Sequence, residues 1–135
     1  MAQIAPANAD SSYSDASDWL VALAADHSLA DQAIAAARSF GEFTSPSLEW
    51  AMVLGLAYWQ LQLYGEGLSI LDRFDHEQVS NPHYFALFGM ICRQLAGQES
   101  RALTSYLRAL ELDPSRPDIH YNVGNLLKDT YPDKA

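Results

Sequence analysis

Three glycines set the frame for this chain. Gly55, Gly89 and Gly124 lie 34 and 35 residues apart, each at the same place in a helix-like stretch. A phrase recurs around them: Ala51-x-x-Leu54-Gly55-x-x-Tyr58, Phe85-x-x-Phe88-Gly89-x-x-Cys92 and His120-x-x-Val123-Gly124-x-x-Leu127. A second small residue follows at Gly67 and Ala102, and Ala33 holds that slot one cycle earlier. A fixed period near 34 with a small residue in each helix marks an array of helix-turn-helix units. Two helices cross closely only where a side chain at the crossing is small, and Gly89 with Ala102 is the expected pair in the third unit. Glycine inside a helix costs about 1 kcal/mol relative to alanine, so close packing has to compensate. One such unit cannot bury its own apolar face, and stability comes from stacking on neighbours.

The segment Ala102-Leu103-Thr104-Ser105-Tyr106-Leu107-Arg108-Ala109-Leu110-Glu111-Leu112-Asp113-Pro114 resembles the second helix of the tetratricopeptide repeat family. It has the small residue, the aromatic four later, the small residue three after that and the terminating proline. His120-Tyr121-Asn122-Val123-Gly124-Asn125-Leu126-Leu127-Lys128 is similar to the family's first helix. The earlier units depart further. Gly67 and Phe74 stand at small-residue slots, and Val21 stands where the helix glycine belongs, while Leu20, Ala33, Ala37 and Phe40 fit. The resemblance implies an all-α fold: a right-handed α-solenoid of about three and a half repeats and seven helices. Its units would span about 14–47, 48–81, 82–116 and an incomplete 117–135, after a disordered leader over 1–13.

Punctuation places the helix ends. Ser45-Pro46 and Asn81-Pro82 pair a capping side chain with a proline tolerated in the first turn, and Ser115 with Pro117 repeats the device. Gly41, Gly65 and Gly97 fall in or near turns, and Pro114 closes a helix. The expected helices are about 15–26, 29–41, 46–61, 65–76, 82–95, 98–112 and 116–129. Pro132-Asp133-Lys134-Ala135 reads as the opening of a further second helix. Without such a helix, Val123, Leu126 and Leu127 lack a cover, which suggests an array that continues or self-association through the last helix.

Composition narrows the function. Of 135 residues, 49% are apolar, enough for a continuous core, and the net charge is −9. No Lys/Arg run is present to neutralise phosphates, which argues against nucleic acid. No apolar stretch approaches the roughly 20 residues that span a membrane, so no membrane insertion is expected. The Met1–Tyr13 stretch lacks the basic start and apolar run of a secretory signal. The single Cys92 rules out an internal disulfide, reads as a small buried hydrophobe and fits a reducing, cytoplasmic compartment.

In the resembled family the first helices line a concave groove that takes an extended peptide or a partner helix. Carried over, the groove residues are Met52, Val53, Leu56, Trp59 and Gln60, then Leu87, Met90, Arg93 and Gln94, then Tyr121, Asn122, Asn125, Lys128 and Asp129. The resemblance makes Asn122 and Asn125 partners for peptide backbone. The family's carboxylate-holding subtype needs basic residues where this chain has Val53 and Leu87, with only Arg93 and Lys128 in suitable places. Asp72, Asp75 and His76 fall at i, i+3 and i+4, a spacing that suits a metal but needs further ligands, so acid–base pairing at a helix end is the ordinary reading. Ser100, Thr104 and Ser105 have no base nearby in sequence and read as surface polar residues. Trp19, Trp50 and Trp59 read as packing residues, since no basic groove accompanies them. The expectation is a non-enzymatic protein-interaction module without cofactor or metal, a scaffold or adaptor. The alternative is the substrate-recruiting repeat region of a larger enzyme. Gly124-Asn125-Leu126-Leu127-Lys128 is similar to repeats of O-linked N-acetylglucosamine transferase-like glycosyltransferases.

Overall fold

A computed structural model of the chain describes residues 15–130. The expected leader over 1–13 and the Pro132–Ala135 opening lie outside the described residues. Among those described, seven α-helices and one short 3-10 turn (His27–Leu29) form, with no strand. They are α1 (Ala16–Ala25), α2 (Ala30–Ser39), α3 (Leu48–Gln60), α4 (Tyr64–Leu71), α5 (Pro82–Arg93), α6 (Glu99–Leu112) and α7 (Pro117–Thr130). The chain divides into two compact units, one ending at Leu71 and one beginning at Asp72.

In the first unit, α3 is the hub against which α1, α2 and α4 pack. The reason is its sequence: Trp50, Ala51, Met52, Val53, Leu54, Gly55 and Ala57 are all buried. A helix that is apolar nearly all round has to be surrounded. Ala33 and Ala37 of α2 are buried, and the α1 stripe is Ala16, Trp19, Ala22 and Leu23. Val21 sits off that stripe and is 72% exposed, so it does not stand in for the helix glycine. The Gln60 side-chain amide donates to the Leu23 carbonyl at 3.0 Å, tying the end of α3 to α1.

Helix ends follow local chemistry. Ser47, rather than Ser45, caps α3 by accepting from the Trp50 N–H, so Pro46 precedes the cap. Asn81 caps α5 by accepting from the His83 N–H at 2.9 Å, with Pro82 as the first helical residue. Ser115 does not cap α7, because its hydroxyl donates to Asp113 at 2.8 Å. α2 and α3 end in the same motif. The Glu42 N–H reaches the Ala37 carbonyl and the Gly41 N–H that of Arg38, while Leu63 and Gln62 repeat the pattern on Tyr58 and Trp59. The motif needs a left-handed residue after the helix. Gly41 supplies it at φ 72°, but in α3 the place is held by Gln62 at φ 62°. A side chain there is strained. Gln62→Gly is therefore expected to raise stability by about 0.5–1 kcal/mol, measured by urea unfolding.

In the second unit, α5 packs along α6 and α6 against α7. A ring cluster fills the α5 side. Tyr84, Phe85 and Phe88 are buried, and Phe74 and His76 meet Tyr84 edge-on at 6.2 and 5.5 Å. Gly89 allows the α5–α6 approach, but the residue it accommodates is Tyr106 rather than Ala102. A Cβ built on Gly89 would lie 2.7 Å from Tyr106 Cδ1 and Cε1. Burial pushes the Tyr106 phenol pKa up to about 12. Cys92 is buried as expected, with its thiol pushed up to about 11 by burial.

The expected helix over 65–76 stops at Leu71, and Gly65 lies inside it. Beyond residues 72–74, Asp75 sets a separate turn. Its carboxylate accepts from the Glu77 N–H at 3.0 Å, and its carbonyl accepts from the Gln78 and Val79 N–H groups. An aspartate bonding to its own following backbone competes with helix.

Candidate partner-binding surface

The sequence-predicted residues fall into three sets. On α3, Met52 and Val53 are buried at 3% and 0% exposure, while Leu56, Trp59 and Gln60 are half-buried. The Trp59 indole N–H and the Gln60 side-chain oxygen are buried without a hydrogen-bond partner among the described residues. On α5, Leu87 is buried, and Met90 and Arg93 are half-buried. Gln94 is exposed as the residue that closes the helix. On α7, Tyr121 and Lys128 are exposed, and Asn122 and Asn125 are half-buried. Met52, Val53 and Leu87 thus contribute core packing within their own units, and the other predicted residues keep accessible surface.

α5 and α7 are linked at this surface. Arg93 closes α5 and donates to Asp129 at 2.6 Å and to the Asn122 carbonyl at 3.4 Å. The pair is partly solvated, so its contribution is about 0–1 kcal/mol. Its larger effect is positional, since it fixes a cation next to the Asn122 backbone. Asn122, Asn125 and Lys128 follow at three-residue steps and share one side of α7. A row of amides ending in an ammonium can donate to carbonyl groups and accept from N–H groups, which suits peptide backbone.

Residues 95–130 match the family model described as TPR repeat. This stretch carries a TPR repeat. The TPR match takes in α6, the turn at Pro114 and α7, the part of the chain where the sequence phrase is closest to the family pattern. Comparison with the curated proteins and with the solved structures gave no match. A TPR repeat is in general a protein-interaction module, and typically not a catalyst.

Other candidate chemistry resolves differently. Asp72, Asp75 and His76 do not share a helix face, because α4 ends at Leu71. Among the described residues no group of His, Cys, Asp or Glu is arranged to hold a metal. Asp72 pairs with Arg101 at 2.8 Å. Among the described residues no helix is long and apolar enough to cross a membrane. Ser100 and Thr104 are exposed as expected, but Ser105 is buried at 4% exposure and is not a surface residue.

His76 is a half-buried titrating group packed against the ring cluster. Its Nε2 lies 2.9 Å from the Tyr84 hydroxyl, and its ring meets Phe88 edge-on at 4.6 Å. Burial lowers its pKa, with Arg101 acting the same way and Asp72 and Asp75 opposing. A folded pKa below the unfolded value of about 6.5 means the unfolded chain binds the proton first. The stabilising contribution is full above the unfolded pKa and is lost as pH falls through the folded one. Acidification from pH 7.5 to 5.5 is expected to lower Tm more in the parent than in His76→Gln, measured as the difference between the two slopes.

Proposed function

We propose that the chain is a protein-interaction module without catalysis of its own, and that it holds an extended peptide or partner helix. Within the second unit the contacts would come from Met90, Arg93 and Gln94 on α5 and from Tyr121, Asn122, Asn125 and Lys128 on α7. The observation that carries this is the α7 row. Asn122 and Asn125 are half-buried, and their side-chain amides make no hydrogen bond among the described residues, beside an Arg93 already held by Asp129. Half-buried amides lose hydration, so a partner backbone that engages them recovers hydrogen bonds.

The test is site-specific photo-crosslinking from position 125 in the native cell, with capture scored against Asn122→Ala/Asn125→Ala and Lys128→Ala. Capture should fall about tenfold in each, the loss of roughly 1.4 kcal/mol. Leu107→Ala, an exposed α6 position, should leave it unchanged. Equal capture by all variants would sink the groove reading.

Self-association through α7 is a second reading. It is favoured by Gly124, where an added Cβ meets nothing within 4 Å, and by Tyr121 at 70% exposure. Sedimentation velocity across a concentration series decides it: a dimer lost in Tyr121→Glu supports the reading, and a monomer at every concentration removes it.

A further inference from the structure

The second unit contains a cavity of about 370 Å³, lined by His76, Glu77, Phe85, Thr104, Ser105 and Arg108. Small-molecule sites occupy about 300–1,000 Å³, so this one suits a ligand of modest size. Three elements build it. The turn held by Asp75 brings His76 and Glu77, and α5 brings Phe85, whose ring meets His76 at 5.6 Å. α6 brings Thr104, Ser105 and Arg108, which share a helix face through three- and four-residue steps.

Ser105 is the decisive residue. It is 4% exposed, the buried polar residue of the described core, and its hydroxyl makes no hydrogen bond among the described residues. Thr104 beside it takes the ordinary route and donates to the Ser100 carbonyl at 3.0 Å. The Ser105 oxygen is not among the fully buried unpartnered atoms, so it keeps access at the wall of the cavity and is available there to a ligand's polar group. Arg108 gives the second anchor. One arm of its guanidinium reaches Glu111 at 3.1 Å, and the group lies 5.7 Å from the centre of the Phe85 ring. Its Nη2 and Nε make no hydrogen bond among the described residues, so donors remain for a ligand.

Charge selects the ligand. Arg108 stands on the α6 side of the cavity and Glu77 on the turn side. With Glu111 on Arg108, one cation faces two anions, in a chain of net charge −9. A plain anion would be repelled, and a plain cation would leave Ser105 and the free Arg108 donors unmatched. A ligand with both charges matches both sides at no net cost in charge.

We propose that this cavity binds a zwitterionic small molecule of the free α-amino-acid class. Its carboxylate meets the Ser105 hydroxyl and the Arg108 guanidinium. Its ammonium faces Glu77, and its apolar side chain covers the Phe85 ring.

L-phenylalanine and L-leucine are the probes, titrated into the full chain by calorimetry and by backbone amide NMR. Saturable binding is expected, with shifts centred on 76–77, 85 and 104–108. 3-Phenylpropionate, which keeps ring and carboxylate but lacks the ammonium, should bind about tenfold more weakly. Ser105→Ala removes a hydroxyl that has no partner within the fold, so Tm should hold while affinity falls about fivefold. Glu77→Gln should weaken the amino acid and leave 3-phenylpropionate unchanged. The proposal is overturned if neither amino acid binds at about 10 mM, if Ser105→Ala binds as tightly as the parent, or if 3-phenylpropionate matches L-phenylalanine. None of these readouts depends on a protein partner, so the cavity and the peptide-facing surface stand or fall separately.

Discussion

Gly89→Ala should destabilise the protein by about 1–2 kcal/mol, while Gly124→Ala, at the same place in the repeated phrase, should stabilise it by about 0.5–1 kcal/mol. The two substitutions add the same methyl group to helices of the same register. Both gain about 1 kcal/mol of helix propensity. They differ in what the methyl meets. At Gly89 it lies 2.7 Å from two ring carbons of Tyr106, and that ring is buried at 1% exposure. The ring cannot swing away without leaving its place in the α5–α6 interface, so α5 and α6 have to separate. Overpacking of this kind costs about 1–3 kcal/mol, which exceeds the gain in propensity. At Gly124 nothing lies within 4 Å, and only the gain remains.

Urea unfolding of both variants checks the pair. A double-mutant cycle isolates the cause: Gly89→Ala combined with Tyr106→Leu should lose less than the two losses added, because the ring that clashes is gone. If Gly89→Ala were neutral, Tyr106 would not be the reason for glycine in this repeat. If Gly124→Ala were destabilising, the α7 slot would be occupied in solution, and the self-association reading would gain from it.

What could be read in the sequence follows the same line between local and long-range causes. Asn81-Pro82 and Gly41 carry their effect in their own side chain or backbone, and the ends they mark lie where the sequence puts them. Gln62 does the work of a glycine without being one, and only its backbone angle shows it. α4 ends five residues early, and Asp75 beyond it turns back on its own following backbone. Helix propensity across 65–76 gives no sign of that turn. The groove register is least legible on α3 and α5. Their buried runs at 50–55 and 84–89 are continuous, so apolar periodicity does not choose a face, and Met52, Val53 and Leu87 end up inside. On α7, buried Ile119 and Leu126 alternate with polar neighbours, so the sequence pattern does separate a packed side from Asn122 and Asn125, which are half-buried. The cavity at Ser105 was hidden for a related reason. It exists only because His76 and Glu77 leave the helix and turn towards α5 and α6.

Phe88→Ala carries the largest expected loss, about 3–5 kcal/mol. Phe88 is 1% exposed and lies under three partners: the His76 ring at 4.6 Å, the Tyr84 ring at 6.0 Å and the Arg101 guanidinium at 5.0 Å. Removing it deletes a buried ring and leaves a cavity that the neighbours cannot fill. His76 is held by the turn at Asp75, and Arg101 is held by Asp72 at 2.8 Å. A domain of this size has about 5–15 kcal/mol in total, so the loss takes a large part of it. Cys92, one helical turn further along α5, provides the readout. Its thiol is buried and its pKa is raised to about 11 by burial, so it should resist maleimide in the parent protein. In Phe88→Ala, labelling should accelerate by about 100-fold or more under native conditions, as α5 opens locally. Phe88→Leu, which restores most of the volume, should recover most of the protection. Labelling that stayed slow in Phe88→Ala would mean that the ring cluster does not hold α5 in place, and that the α5–α6 contact at Gly89 and Tyr106 is sufficient on its own.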